Sequence, residues 1–183
     1  FNAYDQWQSK FYREDDFVEW SFQMADRYFP CNHLIINDYS SFAHAFRENR
    51  SEYYMQIERL FSKGITHLDS IGMQFHSFFD QAEEEERGKT LYNPLYLYEV
   101  LDLYGRFGKK IQMTEITIPA YSDSEEDEAV QAELIEKLYT VWFSHPNMEA
   151  IIYWNLVDGY AALAEPGDMT TGENKFYGGL MNF

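Results

Sequence analysis

Glu115 lies inside the run Ile111-Gln112-Met113-Thr114-Glu115-Ile116-Thr117-Ile118, which otherwise reads as a buried strand. Gly108-Lys109-Lys110 precedes the run and Pro119 ends it. Short apolar stretches bounded in this way have the pattern of parallel strands. A charge in such a strand is costly unless it is paired or used. Two uses fit: an ion pair with a nearby lysine, or a catalytic carboxylate at the C-terminal end of a barrel strand. Three other segments end in polar and aromatic groups: Ile36-Asn37-Asp38-Tyr39, Ile71-Gly72-Met73-Gln74-Phe75-His76 and Tyr153-Trp154-Asn155-Leu156-Val157-Asp158. An imidazole and an amide beside a carboxylate can hold it ionised by hydrogen bonding. Four such endings on successive strands describe a site built from strand ends.

The elements that must position these groups are four strands, expected at His33–Asn37, Leu68–Phe75, Ile111–Ile118 and Ala150–Leu156. Their centres fall roughly 40 residues apart, the span of a strand, a helix and two loops. Helical spacing of apolar residues fills the intervals at Asp15–Tyr28, Glu52–Phe61, Pro94–Tyr104 and Glu125–Phe143. Ser124-Glu125-Glu126-Asp127 has the form of a capping box, and its acidic first turn suits the helix dipole. The Glu83-Glu84-Glu85-Glu86 run reads as a solvated loop or helix face. Helix–strand alternation without hairpin signals predicts a parallel α/β architecture. A complete eight-stranded barrel needs about 250 residues, so four strands amount to about half of one.

Composition narrows the chemistry. The 183 residues are 45% hydrophobic and 19% aromatic, enough to build a real core. A net charge of −17 argues against nucleic acid, whose phosphates need clustered Lys and Arg, and fits a neutral ligand. No apolar run has the length of a membrane span. Cys31 is the single cysteine, which excludes an intrachain disulfide and paired-Cys metal motifs; a buried small residue is expected there. His33, His44, His67 and His145 lack ligand-like spacing, so no metal or cofactor is expected. The chain begins at Phe1 rather than Met, as a processed or excised piece would.

Taken in order, the four strand-end motifs resemble those of the family 10 glycoside hydrolases, the retaining endo-β-1,4-xylanases. Asn37-Asp38-Tyr39 is similar to the ending of the family's fifth strand, and Gly72-Met73-Gln74-Phe75-His76 to that of the sixth. Thr114-Glu115-Ile116 is similar to the seventh, and Trp154 through Tyr160 to the eighth. The stretch from Gly172 to Leu180 also looks like the family's segment after strand eight. The resemblance implies residues 1–183 as the C-terminal half, about strands five to eight, of a (β/α)8 TIM barrel. It implies Glu115 as the nucleophile and His76 as the residue that hydrogen-bonds it. Gln74 becomes a polar contact near the reacting sugar and Trp154 the indole flooring the adjacent subsite. Tyr39 becomes the aromatic against the leaving-group sugar, with Asn37 and Asp38 supporting that strand end. Flat ring faces suit the apolar faces of sugars. The implied substrate is xylan or xylo-oligosaccharide, and the implied setting is outside the cytoplasm, secreted, periplasmic or at the cell surface.

Two departures from the family pattern stand out. Thr117 occupies a position where many relatives carry Asp beside the strand-six histidine, so His76 is expected to lack an anionic partner and to have a lower pKa. The acid/base glutamate of a retaining mechanism, expected in an Asn-Glu pair at the end of strand four, has no counterpart: no such dipeptide occurs. Glu14 and Glu19 belong to a helix entrance and face. An N-terminal half-barrel of the same enzyme is therefore the expected partner, and the isolated chain is expected to be inactive. A non-catalytic carbohydrate-binding remnant, or self-pairing of two half-barrels, would carry the same motifs.

Overall fold

The computed structural model describes residues 14–39, 42 and 51–182; His44 lies outside them. Four strands, β1 (Ile35–Asp38), β2 (Ser70–His76), β3 (Lys110–Thr117) and β4 (Met148–Ile151), form one sheet in sequential order. Every pairing is parallel. The helices are α1 (Phe17–Tyr28), α2 (Glu52–Ser62), α3 (Gln81–Leu91), α4 (Pro94–Gly105) and α5 (Glu125–Ser144), with a 3₁₀ turn at Asn174–Phe176. The expected parallel α/β alternation is present.

Local chemistry sets the helix starts. The Ser51 hydroxyl accepts the Tyr54 amide at 3.2 Å to cap α2. Asn93 accepts the Leu95 amide at 3.0 Å, and Pro94 opens α4 where no intrahelical N–H is needed. Ser124 caps α5 through the Asp127 amide at 3.2 Å, although the Asp127 carboxylate bonds Ser122 instead of closing the box. The pleat sends Ile71, Met73 and Phe75 of β2 and Ile111, Met113 and Ile116 of β3 into the core. There they meet Ile57 and Leu60 of α2, Leu97 and Leu101 of α4, and Leu138 and Trp142 of α5. The Trp142 indole meets the Phe75 ring edge-on at 5.2 Å. The other face of the sheet carries Ser70, Gly72, Gln74 and His76, a polar lining.

Three elements differ from expectation. Strand β1 starts two residues late because the Leu34 amide bonds the Asp69 carboxylate at 2.8 Å. Strand β4 ends at Ile151, but the Ile152 and Trp154 amides still reach the Met113 and Ile116 carbonyls, at 2.8 and 2.9 Å, so the chain follows β3 irregularly. Helix α3 has no buried residue and hence no apolar stripe to announce it; Glu83–Arg87 and Glu85–Lys89 pairs run along its surface. Cys31 is exposed rather than buried, because it sits in the turn after α1. Glu19 is buried in α1 and ion-paired with Arg59 of α2.

Gly72 marks the tightest approach in the sheet. A β-carbon there would sit 2.7 Å from Asn37 Oδ1, 2.9 Å from Thr114 Cγ2 and 3.0 Å from the Ile36 carbonyl oxygen. Gly72→Ala is expected to lower stability by about 1–3 kcal/mol, the usual cost of overpacking, measured by urea unfolding; unchanged stability would contradict this packing.

Candidate active site

The site is made by a β-bulge. Met73 of β2 pairs with Met113 of β3, but the next pair is Gln74 with Glu115, leaving Thr114 as the extra residue. Strict alternation would have put Glu115 on the core face with Ile111 and Met113. The inserted residue turns it to the inner face, beside Gln74 and His76, while Ile116 and Ile118 remain buried. Thr114 is satisfied in its odd position: its hydroxyl donates to Asn37 Oδ1 at 2.7 Å and contacts the Met73 carbonyl at 3.2 Å. Glu115 is therefore neither a core charge nor paired with a lysine.

Two neutral groups hold its carboxylate. Gln74 Nε2 donates to Glu115 Oε1 at 2.8 Å, and His76 Nε2 lies 3.2 Å from Oε2. Burial, and secondly the charge of Glu173, push the Glu115 carboxyl above its ordinary range. The His76 ring stacks on Phe78 at 4.8 Å with an 8° interplanar angle, and burial lowers its pKa to about 4. It is thus neutral at pH 7. With ionised Glu115 at Nε2, the ring proton belongs on Nε2, so Nδ1 accepts the Thr117 hydroxyl at 3.0 Å. Thr117 is fixed in turn by Gly178, where a β-carbon would come within 2.5 Å of its methyl group.

The remaining expected residues separate by position. Trp154 makes a T-shaped contact with His76, with centroids 6.0 Å apart at 78°, and is 44% exposed, so much of its ring surface remains accessible. Asn37 joins the cluster indirectly through Thr114. Tyr39 stands exposed at the end of β1, and among the described residues no ring contact or side-chain hydrogen bond ties it to Glu115. Asp158 Oδ1 accepts the Gly179 amide at 2.7 Å and pins the tail. Sequence reasoning missed Glu173, whose Oε2 accepts the Trp154 indole N–H at 3.2 Å. The signal was a contact between residues 19 apart in a loop, which no local pattern reveals.

The other described histidines bond structurally. His33 meets Ser70 at 2.6 Å, His67 meets Asp26 at 2.7 Å, and buried His145 meets Asp102 at 3.2 Å. Among the described residues, no group of three His, Cys, Asp or Glu side chains could hold a metal ion, and no helix is long and apolar enough to cross a membrane.

The model of glycosyl hydrolase family 10 matches residues 3–172. A sequence comparison with curated proteins finds no match. Among solved structures, intracellular xylanase TsXylA from Thermoanaerobacterium saccharolyticum JW/SL-YS485 is similar, with TM-score 0.64 at 21% identity, covering 83% of this chain and 43% of that one. Xylanase 10B from Thermotoga petrophila RKU-1, in complex with xylobiose, superposes with TM-score 0.60 at 26% identity, covering 80% and 42%. The endo-1,4-β-xylanase of Caldicellulosiruptor owensensis gives 0.62 at 18% identity, covering 89% and 53%. The chain spans about half the length of these structures or less, and its four-stranded parallel sheet with helices is a partial TIM barrel of their kind.

The depressed His76 pKa sets a pH dependence. Between about 4 and the ordinary 6.5 the unfolded ring binds a proton that the folded ring refuses. Stability is therefore unaffected above 6.5, falls with pH across this window, and by about pH 4 has lost on the order of 3 kcal/mol from this ring. Imidazole NMR should show His76 titrating near 4, and Thr117→Asp should raise that value by supplying an anion at Nδ1. A native ring titrating at or above 6.5 would contradict the assignment of a neutral donor.

Proposed function

Because the chain belongs to glycosyl hydrolase family 10, we propose that it is the C-terminal portion of a retaining glycoside hydrolase that cleaves internal β-1,4-xylosidic bonds of xylan. The observation that carries this reading is Glu115, turned to the inner face at a strand's C-terminal end and gripped by Gln74 at 2.8 Å and His76 at 3.2 Å. The xylobiose found with the Thermotoga petrophila xylanase supports the substrate class.

In this reading a Glu115 oxygen attacks the anomeric carbon as the glycosidic C–O bond breaks. A second carboxyl group, about 5 Å away, protonates the departing oxygen. The same group then takes a proton from water as water displaces Glu115, and the configuration is retained. Neutral donors suit this nucleophile: they orient the carboxylate without the basicity loss that a nearby cation would impose. Trp154 offers an open indole face to the sugar on one side of the scissile bond. Tyr39, exposed at the end of β1, fits the leaving-group side.

The second carboxyl group is assigned to an N-terminal half-barrel of the same enzyme, because the sequence has no Asn-Glu pair. The sheet is compatible with such a partner: β1 and β4 each pair on one side only among the described residues.

An activated 2-fluoro-xylobioside applied to the complete protein should leave a covalent adduct on the Glu115 peptide, read by mass spectrometry. Glu115→Gln should show no adduct and lose on the order of 10⁴-fold in xylan hydrolysis. Sugar binding with no adduct on the native protein would instead mark a carbohydrate-binding remnant. The isolated chain should be inactive until the complementary half is added, with a heterodimer in sedimentation. Since the nucleophile must be ionised, kcat/KM should fall on acidification through an apparent pKa above the ordinary 4.5. An acid limb below 4.5 would exclude Glu115 as the titrating group.

A further inference from the structure

Trp154 has a positional difficulty. It lies past the end of β4, is 44% exposed, and meets His76 only edge-on at 6.0 Å. A large exposed ring on an irregular segment does not keep one orientation from that contact alone. The second tie is Glu173, whose Oε2 accepts the indole N–H at 3.2 Å.

The support behind Glu173 is firm. It immediately precedes the 3₁₀ turn whose first residue, Asn174, is 1% exposed. Asn174 accepts the Ala161 amide at 2.9 Å and donates to the Glu165 and Asp168 carbonyls at 3.1 and 2.9 Å. One buried amide thus fastens the loop after β4 to the turn that carries Glu173. The carboxylate itself is in an unfavourable place. It is partly buried, its charge acts against Glu115, and the adjacent Lys175 ammonium is directed to Asp80 at 3.8 Å. A carboxylate held there has a task other than ion pairing.

We propose that Glu173 is a positioning residue that locks the Trp154 indole as a fixed platform for the sugar bound beside Glu115. The sugar-binding half of this statement rests on the function proposed above; the indole lock does not.

Three variants of the complete protein test it. The Trp154 indole N–H resonance is assigned by its disappearance in Trp154→Phe. In Glu173→Ala that resonance should move to the position of a solvent-bonded indole. KM for xylo-oligosaccharides should rise about three- to tenfold, the worth of one hydrogen bond, with kcat within twofold. Glu173→Gln retains an acceptor oxygen, so both readouts should stay near native. An unmoved resonance in Glu173→Ala would overturn the proposal, as would Glu173→Gln losing as much as Glu173→Ala. If the native protein fails to act on xylo-oligosaccharides, the functional reading falls, while the resonance still decides whether Glu173 holds Trp154.

Discussion

A single extra residue in β3 carries the site, and much of the local packing follows from accommodating it. Below Thr114 the odd-numbered residues Ile111 and Met113 face the core; above it the even-numbered Ile116 and Ile118 do. The strand and the residue that follows it therefore keep four apolar side chains buried and still deliver a glutamate to the opposite face. Accommodating the bulge requires neighbours of particular kinds. Asn37 takes the Thr114 hydroxyl, and residue 72 must be glycine because Asn37 and Thr114 already occupy the space of a β-carbon. Asn37, Gly72 and Thr114 thus form one packing unit across three strands, with Glu115 at its upper edge.

The electrostatic character of the cleft follows from what surrounds that glutamate. Its two side-chain hydrogen-bond partners among the described residues are an amide and a neutral imidazole. A cation in either place would stabilise the carboxylate and depress its basicity. Burial and Glu173 act in the opposite sense. Thr117 belongs to the same logic: a hydroxyl at His76 Nδ1 can donate to the ring without asking it to charge. Half-buried, stacked on Phe78 and in T-shaped contact with Trp154, the neutral imidazole is placed to act as a directed N–H rather than as a counter-ion.

How much of this was legible beforehand follows from range. Strands β2 and β3 announce themselves through apolar runs, and Gln74, His76 and Glu115 through polar residues interrupting those runs. The bulge was also written in the chain, as a change from odd to even apolar positions between Met113 and Ile116, but a period break shows its meaning only once the partner strand is known. Helix α3 left only the Glu83–Glu86 run, which reads equally as a loop or a helix face, because it buries nothing. Glu173 was invisible for a different reason: its role depends on where a loop returns, which Asn174 and its three bonds determine. Tyr39 was read from a motif, and among the described residues no ring contact or side-chain hydrogen bond ties it to the cluster, so nothing in the packing could have announced it.

The sheet carries a second glutamate that serves as an internal control on the first. Glu149 of β4 lies toward the N-terminal ends of the strands, bonded to Ser70, to Gln112 Nε2 at 2.8 Å and facing His33 Nε2 at 3.4 Å. Burial pushes its carboxyl up, but the hydrogen bonds from Ser70 and Gln112 and the His33 contact outweigh it, and its pKa ends below the ordinary value. Glu115, with two donors and an acidic neighbour, ends above. Both residues are carboxylates bonded by neighbouring strands, so that setting alone does not make a nucleophile. The difference lies in where the partners converge: Ser70, Gln112 and His33 all meet Glu149 Oε1, whereas Gln74 and His76 take one Glu115 oxygen each. Glu149 is committed to stitching β2, β3 and β4 together at the end of a barrel where contacts serve stability. Glu115 lies toward the opposite, C-terminal ends of the strands, where burial and Glu173 hold its carboxyl above the ordinary range despite its two donors, and that retained basicity is what the proposed nucleophile requires.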